Sequence, residues 1–426
     1  MNFETHSWDQ KTKIFPPCYP LNPIVTTPRI PRDFDYFIEL LNNSNESDVK
    51  KGLYIHVPFC NSICTFCCFY RVLKDQSLVK KYISALRSEI KLYAETNYIK
   101  SSIFDAVYFG GGTPTCISSE DLMEILSYCK ENFKISNNAE ITIEGNPSDF
   151  DDKKFGSFLE NGVNRLSFGV QTFDTLMRQK VLGRRLAGEE VARVIRDVHE
   201  LGFNNVDIDL MYDLPGQTIE DWRKDLQTAI DLEVESLSFY RLRIYQTSKL
   251  AEMIKSGEVP PQSNKHAEMY LLAIEMLRDA GYKQQSVDHF VLPSKEHLYS
   301  RIRLMPGETL ALGPSPNGIL GHYVYANVRS LEEYLAMISK GKFPIADGMR
   351  TSAADELRRA MMGQLKMLRV DVNEFQQRFK NPLDVFSTVL SELERRNLVL
   401  VNDREIKLTE RGMLLIDDVL MAIASS

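Results

Sequence analysis

The stretch Leu53-Tyr-Ile-His-Val-Pro-Phe-Cys60-Asn-Ser-Ile-Cys64-Thr-Phe-Cys67-Cys68 decides how the rest of the chain is read. Residues 53–59 have the apolar, aromatic and β-branched make-up of a buried strand. Three cysteines at Cys-x3-Cys-x2-Cys spacing follow without a break. Three thiolates in one loop hold three irons of a 4Fe-4S cube and leave the fourth iron without a protein ligand. A structural zinc site wants four ligands, and no fourth Cys or His stands at zinc-finger spacing. Cys68 adjoins Cys67, and neighbouring residues rarely both reach one cube, so it is read as a non-ligand.

Outward from this strand, short apolar runs alternate with segments of helical period, the pattern of right-handed βαβ units around a parallel sheet. Six units are expected. Strands are predicted at 53–59, 106–110, 140–144, 165–170, 205–211 and 236–244, and helices near 78–95, 119–132, 152–161, 188–201, 219–232 and 265–280. Ser118 with Asp121 and Thr218 with Asp221 have capping-box spacing. Gly162, Gly202 and Gly281 stand where helices close in the left-handed region. Residues 1–50, with Pro16, Pro17, Pro20, Pro23, Pro28 and Pro31, read as an irregular extension. Residues 51–290 read as the barrel and 291–350 as a connecting segment. Residues 351–426 read as a helical, winged-helix-like domain with helices at 353–367, 370–378 and 385–396 and two strands near 398–408; lacking a dense Lys/Arg stripe, it is expected to pack on the barrel rather than bind DNA.

Composition bounds the function. The chain has 426 residues, 43 % hydrophobic and 26 % charged, enough for a large core. Its net charge of −7 provides no excess positive field for nucleic acid. No apolar run approaches a membrane span, and the polar start lacks a signal peptide's apolar core. Seven cysteines, four of them within nine residues, fit a metal cluster in a reducing compartment better than disulfides. A cytoplasmic protein is expected.

Other segments carry polar groups at strand ends. Gly110-Gly111-Gly112-Thr113-Pro114 follows the second strand, and backbone without side chains there favours close approach to a ligand. Glu144 ends the third strand at what would be the barrel mouth. Gln171 and Asp209 lie in otherwise apolar strands, where a polar group is costly without a partner; a ligand and a satisfied core network both remain open. His289 is read first as a buried, satisfied histidine.

Cys60, Cys64 and Cys67, in the context Tyr54-Ile-His-Val-Pro-Phe-Cys60, resemble the signature of radical S-adenosylmethionine (SAM) enzymes of the HemN-like branch. The resemblance covers residues 53 to the C-terminus. It implies a partial (β/α)6 barrel, a cluster whose open iron chelates SAM, cleavage to a 5′-deoxyadenosyl radical, and an electron donor such as flavodoxin or ferredoxin. It further implies SAM contacts, with two SAM molecules bound, at Tyr54, Phe66, Gly111, Gly112, Thr113, Glu144, Gln171, Arg184, Asp209, Met211, Arg243 and Asn317. No separate catalytic residue is assigned, and a monomer is expected.

Within the branch three activities compete. Cys64-Thr-Phe-Cys67-Cys-Phe-Tyr70 is similar to the Cys-x-x-Cys-x-Phe-Tyr form of class C methyltransferases, which implies methylation or cyclopropanation of an sp2 carbon in a flat, unsaturated acceptor. Oxygen-independent coproporphyrinogen III dehydrogenase is the alternative. It carries a further cysteine where Phe69 stands here, yet Asp288-His289-Phe290 resembles one of its segments. A haem chaperone comes third, since its haem-binding signature is absent from Tyr299-Ser-Arg-Ile-Arg-Leu304.

Overall fold

The structure, a computed structural model, describes residues 31–426. The prolines expected to break up the N-terminus lie outside that range except Pro31. Residues 34–42 are not irregular but form a helix, Phe34–Asn42, which buries Phe37 and Leu41. Phe37 stacks on Tyr323 with ring centroids 4.8 Å apart. That tertiary contact stabilises a segment whose own signals are weak.

The strands are β1 (Lys51–Val57), β2 (Phe59–Cys60), β3 (Val72–Leu73), β4 (Ile103–Gly111), β5 (Lys134–Gly145), β6 (Arg165–Gln171), β7 (Val206–Tyr212), β8 (Ser236–Arg241), β9 (Lys283–Ser286), β10 (His289–Val291), β11 (Glu308–Leu312), β12 (Asn317–Leu320), β13 (Tyr323–Asn327), β14 (Ile345–Arg350), β15 (Arg369–Asp371), β16 (Val399–Val401) and β17 (Glu405–Leu408). Twelve make one sheet in the order β14-β13-β12-β11-β1-β4-β5-β6-β7-β8-β10-β9. The six expected strands pair in parallel from β1 to β8, as a partial barrel requires. The connecting segment is the departure. Glu308–Leu312 adds a further parallel strand beside β1, and β12 to β14 continue as an antiparallel extension. No helix of its own follows β11, so the repeat pattern did not reveal it.

The expected helices form at Gln76–Ala94, Ser119–Asn132, Asp152–Glu160, Gly188–Glu200, Ile219–Asp231 and His266–Asp279. Thr218 and Asp221 make a reciprocal capping box, while Ser118 accepts from the Asp121 amide. Gly162, Gly202 and Gly281 all have positive φ. Trp222 on the fifth of these helices is fully buried and donates to the Met269 carbonyl at 2.8 Å, a burial that contributes roughly 2–3 kcal/mol. Among the described residues no helix is long and apolar enough to cross a membrane.

The C-terminal part is helical around a small antiparallel sheet, β15-β17-β16, a winged-helix-like arrangement. The helix expected at 370–378 is instead strand β15 followed by Val372–Gln376, and helices Glu410–Leu414 and Ile416–Ala424 complete the chain. Helix Ala353–Lys366 packs so closely on helix Leu298–Leu304 that a Cβ at Gly363 would meet the Leu304 carbonyl oxygen at 1.6 Å. The Val287 amide donates to the Lys366 carbonyl at 3.0 Å, tying the domain to the β9–β10 edge.

Candidate functional site

Alternation along the parallel strands separates two faces. Leu53, Ile55 and Val57 of β1, Val107 and Phe109 of β4, Leu166, Phe168 and Val170 of β6, and Val206, Ile208 and Leu210 of β7 all join the helices in one apolar core. The intervening residues face the lumen, and most are polar: Tyr54 and His56, Tyr108, Glu140 and Glu144, Ser167 and Gln171, Asp207 and Asp209, Ser236 and Ser238. Parallel strands covered on both faces read as continuous apolar runs, so this alternation marks an interior that is not packed with hydrocarbon.

The floor of the lumen is a bonded network. Arg165, fully buried, donates to Ser236 Oγ at 2.6 Å and Asn205 Oδ1 at 2.8 Å and lies 3.4 Å from Asp207. Ser167 donates to Asp207 at 3.2 Å, and Ser238 and His289 Nδ1 are 2.7 Å apart. Glu140 accepts from the amides of Leu298 and Tyr299, which open the short helix 298–304 beneath the barrel. Tyr299 then stacks on Tyr108 at 4.5 Å. Burial lowers His289 despite Asp207 nearby, so its imidazole is neutral. His289 is thus buried and bonded at Nδ1, as expected, but its Nε2 is buried without a hydrogen-bond partner among the described residues, so it is not the fully satisfied histidine expected of it.

The mouth lies at the C-terminal ends of the same strands. The loop after β1 carries Cys60, buried, with Cys64, Cys67 and Cys68 half-buried, all as free thiols. Cys60 Sγ lies 3.4 Å from Thr113 Oγ1. Burial pushes the Cys60 and Cys67 thiols up, and each also feels the neighbouring sulfurs. Three soft thiols carried on one loop fit the 4Fe-4S donor set. Among the described residues no group of three His, Cys, Asp or Glu converges as single-ion ligands do; in a cubane each thiolate meets a different iron.

The glycine run serves the protein's own packing first. A Cβ at Gly112 would lie 2.5 Å from the Phe59 carbonyl oxygen, and one at Gly111, where φ is +115°, 2.7 Å from the His56 ring. The Gly112 and Thr113 amides donate to the Val57 and Phe59 carbonyls, both at 2.8 Å. The space expected for a ligand against these α-carbons is therefore filled by the strand that leads into the cysteine loop.

Glu144 accepts from Tyr108 Oη at 2.7 Å and from the Gly111 amide at 3.1 Å, and burial raises its carboxyl. Tyr54 stacks on Tyr108 with ring centroids 6.0 Å apart. Asp209 is held by no hydrogen bond among the described residues; burial, then Asp207 and Glu144, push it well above the carboxylate range, while Arg184 and Arg165 draw it down. Arg184 donates to the Gly169 carbonyl at 2.8 Å. Gln171, with φ +73°, ends β6 at a register shift in its pairing with β7. Phe66 and Met211 meet in a satellite apolar cluster with Leu182, Leu214 and Leu242.

Two predicted residues sit apart from this group. Arg243 is exposed and its guanidinium binds Asp417 of helix Ile416–Ala424, which makes it a link to the C-terminal domain. Asn317 begins β12, paired with Ala326 in the antiparallel extension. Sequence reasoning missed Tyr108 and Tyr299, which wall the lumen, and the strict alternation of Glu140-Ile-Thr-Ile-Glu144 and Val206-Asp-Ile-Asp-Leu210 was the signal that would have found the polar face.

A parallel partial barrel with three free thiols after its first strand defines the radical SAM class, and residues 54–229 match the radical SAM superfamily. Residues 351–415 match the HemN C-terminal domain. The chain is 30% identical over 375 residues to heme chaperone HemW of Bacillus subtilis (strain 168), covering 87% of this chain and 98% of that protein. It is 30% identical over 335 residues to anaerobilin synthase of Escherichia coli O157:H7, covering 78% and 75%. The solved structure of coproporphyrinogen III oxidase (HemN) from Escherichia coli superposes with a TM-score of 0.81 at 25% identity, over 94% of this chain and 96% of that one. The chain belongs to the HemN-like family of radical SAM proteins. Membership implies a 4Fe-4S cluster and SAM.

Proposed function

We propose that this protein cleaves SAM and directs the resulting radical at a tetrapyrrole, abstracting a hydrogen atom from a porphyrinogen propionate; the substrate radical then gives one electron to a one-electron acceptor and releases carbon dioxide, so that a vinyl group stays on the ring. The observation that carries this reading is the nearly end-to-end likeness to coproporphyrinogen III oxidase, barrel and C-terminal domain together. Heme, anaerobilin and coproporphyrinogen, which appear in the relatives' names, are all tetrapyrroles. This ranks the oxidative reading above the carbon transfer first expected from the cysteine motif.

In this reading Cys60, Cys64 and Cys67 hold the cluster. The cluster, when bound, supplies the electron that splits the sulfonium of SAM. Glu144 and Asp209, two lumenal carboxylates with few or no partners, draw the ammonium and sulfonium charges of SAM into the mouth. Their raised carboxyls are those of a site short of a cation. Arg184 and Gln171 face the same space and contact the nucleoside or a second SAM. Tyr54, Phe66 and Met211 exclude water, and Thr113 fixes Cys60. The protein works in the cytoplasm, where reducing conditions keep the cluster cysteines as thiols, and takes its electron from a flavodoxin- or ferredoxin-like donor.

Carbon transfer stands second, on one observation: Phe69, 68 % exposed, occupies the position of the dehydrogenase's extra cysteine, and the additional thiol is at Cys68. Anaerobic turnover with methyl-labelled SAM and candidate porphyrinogens and porphyrins separates the readings. Unlabelled product, carbon dioxide and 5′-deoxyadenosine are expected. Label in the product replaces this reading with methyl or methylene transfer, and stoichiometric haem binding without 5′-deoxyadenosine replaces both with a chaperone.

A further inference from the structure

The backbone at Gln171 is the one strained point among the candidate SAM contacts on strands, since a residue with a side chain at φ +73° must be held there. The holding group is Arg178, only 1 % exposed. Its Nη1 donates to the Val170 carbonyl at 2.6 Å and to the Thr172 carbonyl at 2.9 Å, one on each side of Gln171. Its Nε donates to the Leu186 carbonyl at 2.8 Å. Asp225 secures the next step of the chain, accepting from Thr172 Oγ1 at 2.7 Å and the Phe173 amide at 2.6 Å. Gln171 has no freedom to relax between these anchors.

Arg178 lies in a single π-helical turn, Met177–Val181, closed by the Leu182 amide on the Met177 carbonyl. Such turns recur where a helix must present side chains that regular spacing would misplace. The far side of this turn holds the cysteine loop. Thr65, between Cys64 and Cys67, donates from Oγ1 to the Val181 carbonyl at 2.6 Å and from its amide to the Leu182 carbonyl at 3.3 Å. Two residues on, Arg184 returns to β6 through the Gly169 carbonyl. One turn therefore touches the cluster loop on one side and both flanks of Gln171 on the other.

We propose that Arg178 is a positioning residue: it clamps the β6 terminus so that Gln171 presents its amide to SAM, in register with the cysteine loop carried by the same turn. This rests on the reading of Gln171 as a SAM contact. A buried guanidinium held by three carbonyls carries a desolvation cost that plain loop closure does not need. Lysine at 178 keeps the charge but lacks the planar fork that spans three acceptors.

The test compares the reconstituted holoenzymes of wild type, Arg178→Lys, Gln171→Ala and the double variant, measuring iron content, melting temperature and SAM affinity by anaerobic equilibrium dialysis. Arg178→Lys is expected to keep about three-quarters or more of the iron and to bind SAM about tenfold more weakly, the loss of roughly one charge-assisted hydrogen bond. In the Gln171→Ala background it is expected to add nothing, because the amide it positions is gone. Additive losses refute the positioning role while leaving Gln171 a SAM contact. Undiminished affinity in Gln171→Ala refutes the contact itself and the proposal with it. Should Arg178→Lys fail to fold, Asp225→Asn loosens the same loop from its other anchor and takes its place in the same cycle, with the same two refuting results.

Discussion

Glu89 on helix Gln76–Ala94 offers a perturbation whose magnitude follows from its surroundings. It is fully buried, accepts from the Gly313 amide at 2.8 Å and Tyr334 Oη at 2.7 Å, and has Asn327 Nδ2 at 3.5 Å. Gly313 in turn packs against the His56 carbonyl, so this carboxyl fastens the β11–β14 extension to the barrel beside β1. Burial outweighs the three donors and pushes Glu89 from 4.5 up to about 8. Between those values the unfolded chain releases a proton that the folded chain keeps. Stability is therefore greatest below the lower value and falls as pH rises toward the upper one. At about 1.4 kcal/mol per pH unit, the loss across the interval approaches about 5 kcal/mol. Glu89→Gln removes the titration but turns an NH2 group toward donors, at a cost of about 1–3 kcal/mol. The variant should melt below wild type at pH 5, draw level as pH rises, and melt above it at pH 8, measured by anaerobic scanning calorimetry on both proteins. A gap of constant size and sign from pH 5 to 8 would refute the reasoning, because it would mean that Glu89 takes up no extra proton on folding.

Iron should be lost in Cys64→Ala and kept in Cys68→Ala, counted on purified reconstituted protein; equal loss in both would remove Cys68 from the non-ligands. Gly112→Ala places a methyl 2.5 Å from the Phe59 carbonyl oxygen, a backbone atom that cannot swing away, so a destabilisation of about 2–3 kcal/mol and reduced cluster retention are expected together. A melting curve matching wild type would contradict the packing described. Asp209→Asn should weaken SAM binding with iron content and fold intact, since no hydrogen bond depends on that carboxylate among the described residues; unfolding without a separate effect on SAM would make it part of the floor network instead.

The sequence by itself determined the repeating architecture and the cluster loop. Both are written locally: apolar runs at strand length, helical stripes with caps at Ser118 and Thr218, and Cys60, Cys64 and Cys67 close together directly after a strand. It also showed which strand-end groups were unusual, Glu144, Gln171 and Asp209 among them. What it left open was which of two polar residues two positions apart does what. Asp207 and Asp209 point to the same lumen in the same strand, yet Asp207 lies against Arg165 and Ser167 in the floor while Asp209 is unbonded at the next level. That difference is set by partners on β6 and β8, whose register no local pattern encodes. The same holds for β11, recognisable as a strand of the barrel only once it pairs with β1, and for Arg243, whose partner Asp417 lies 174 residues away. Arg178 reads in the sequence as one more basic residue in the stretch between the strand at 165–170 and the helix at 188–201. Its role exists only in the folded chain, where burial leaves a guanidinium no water to bind and the carbonyls around Gln171 take water's place.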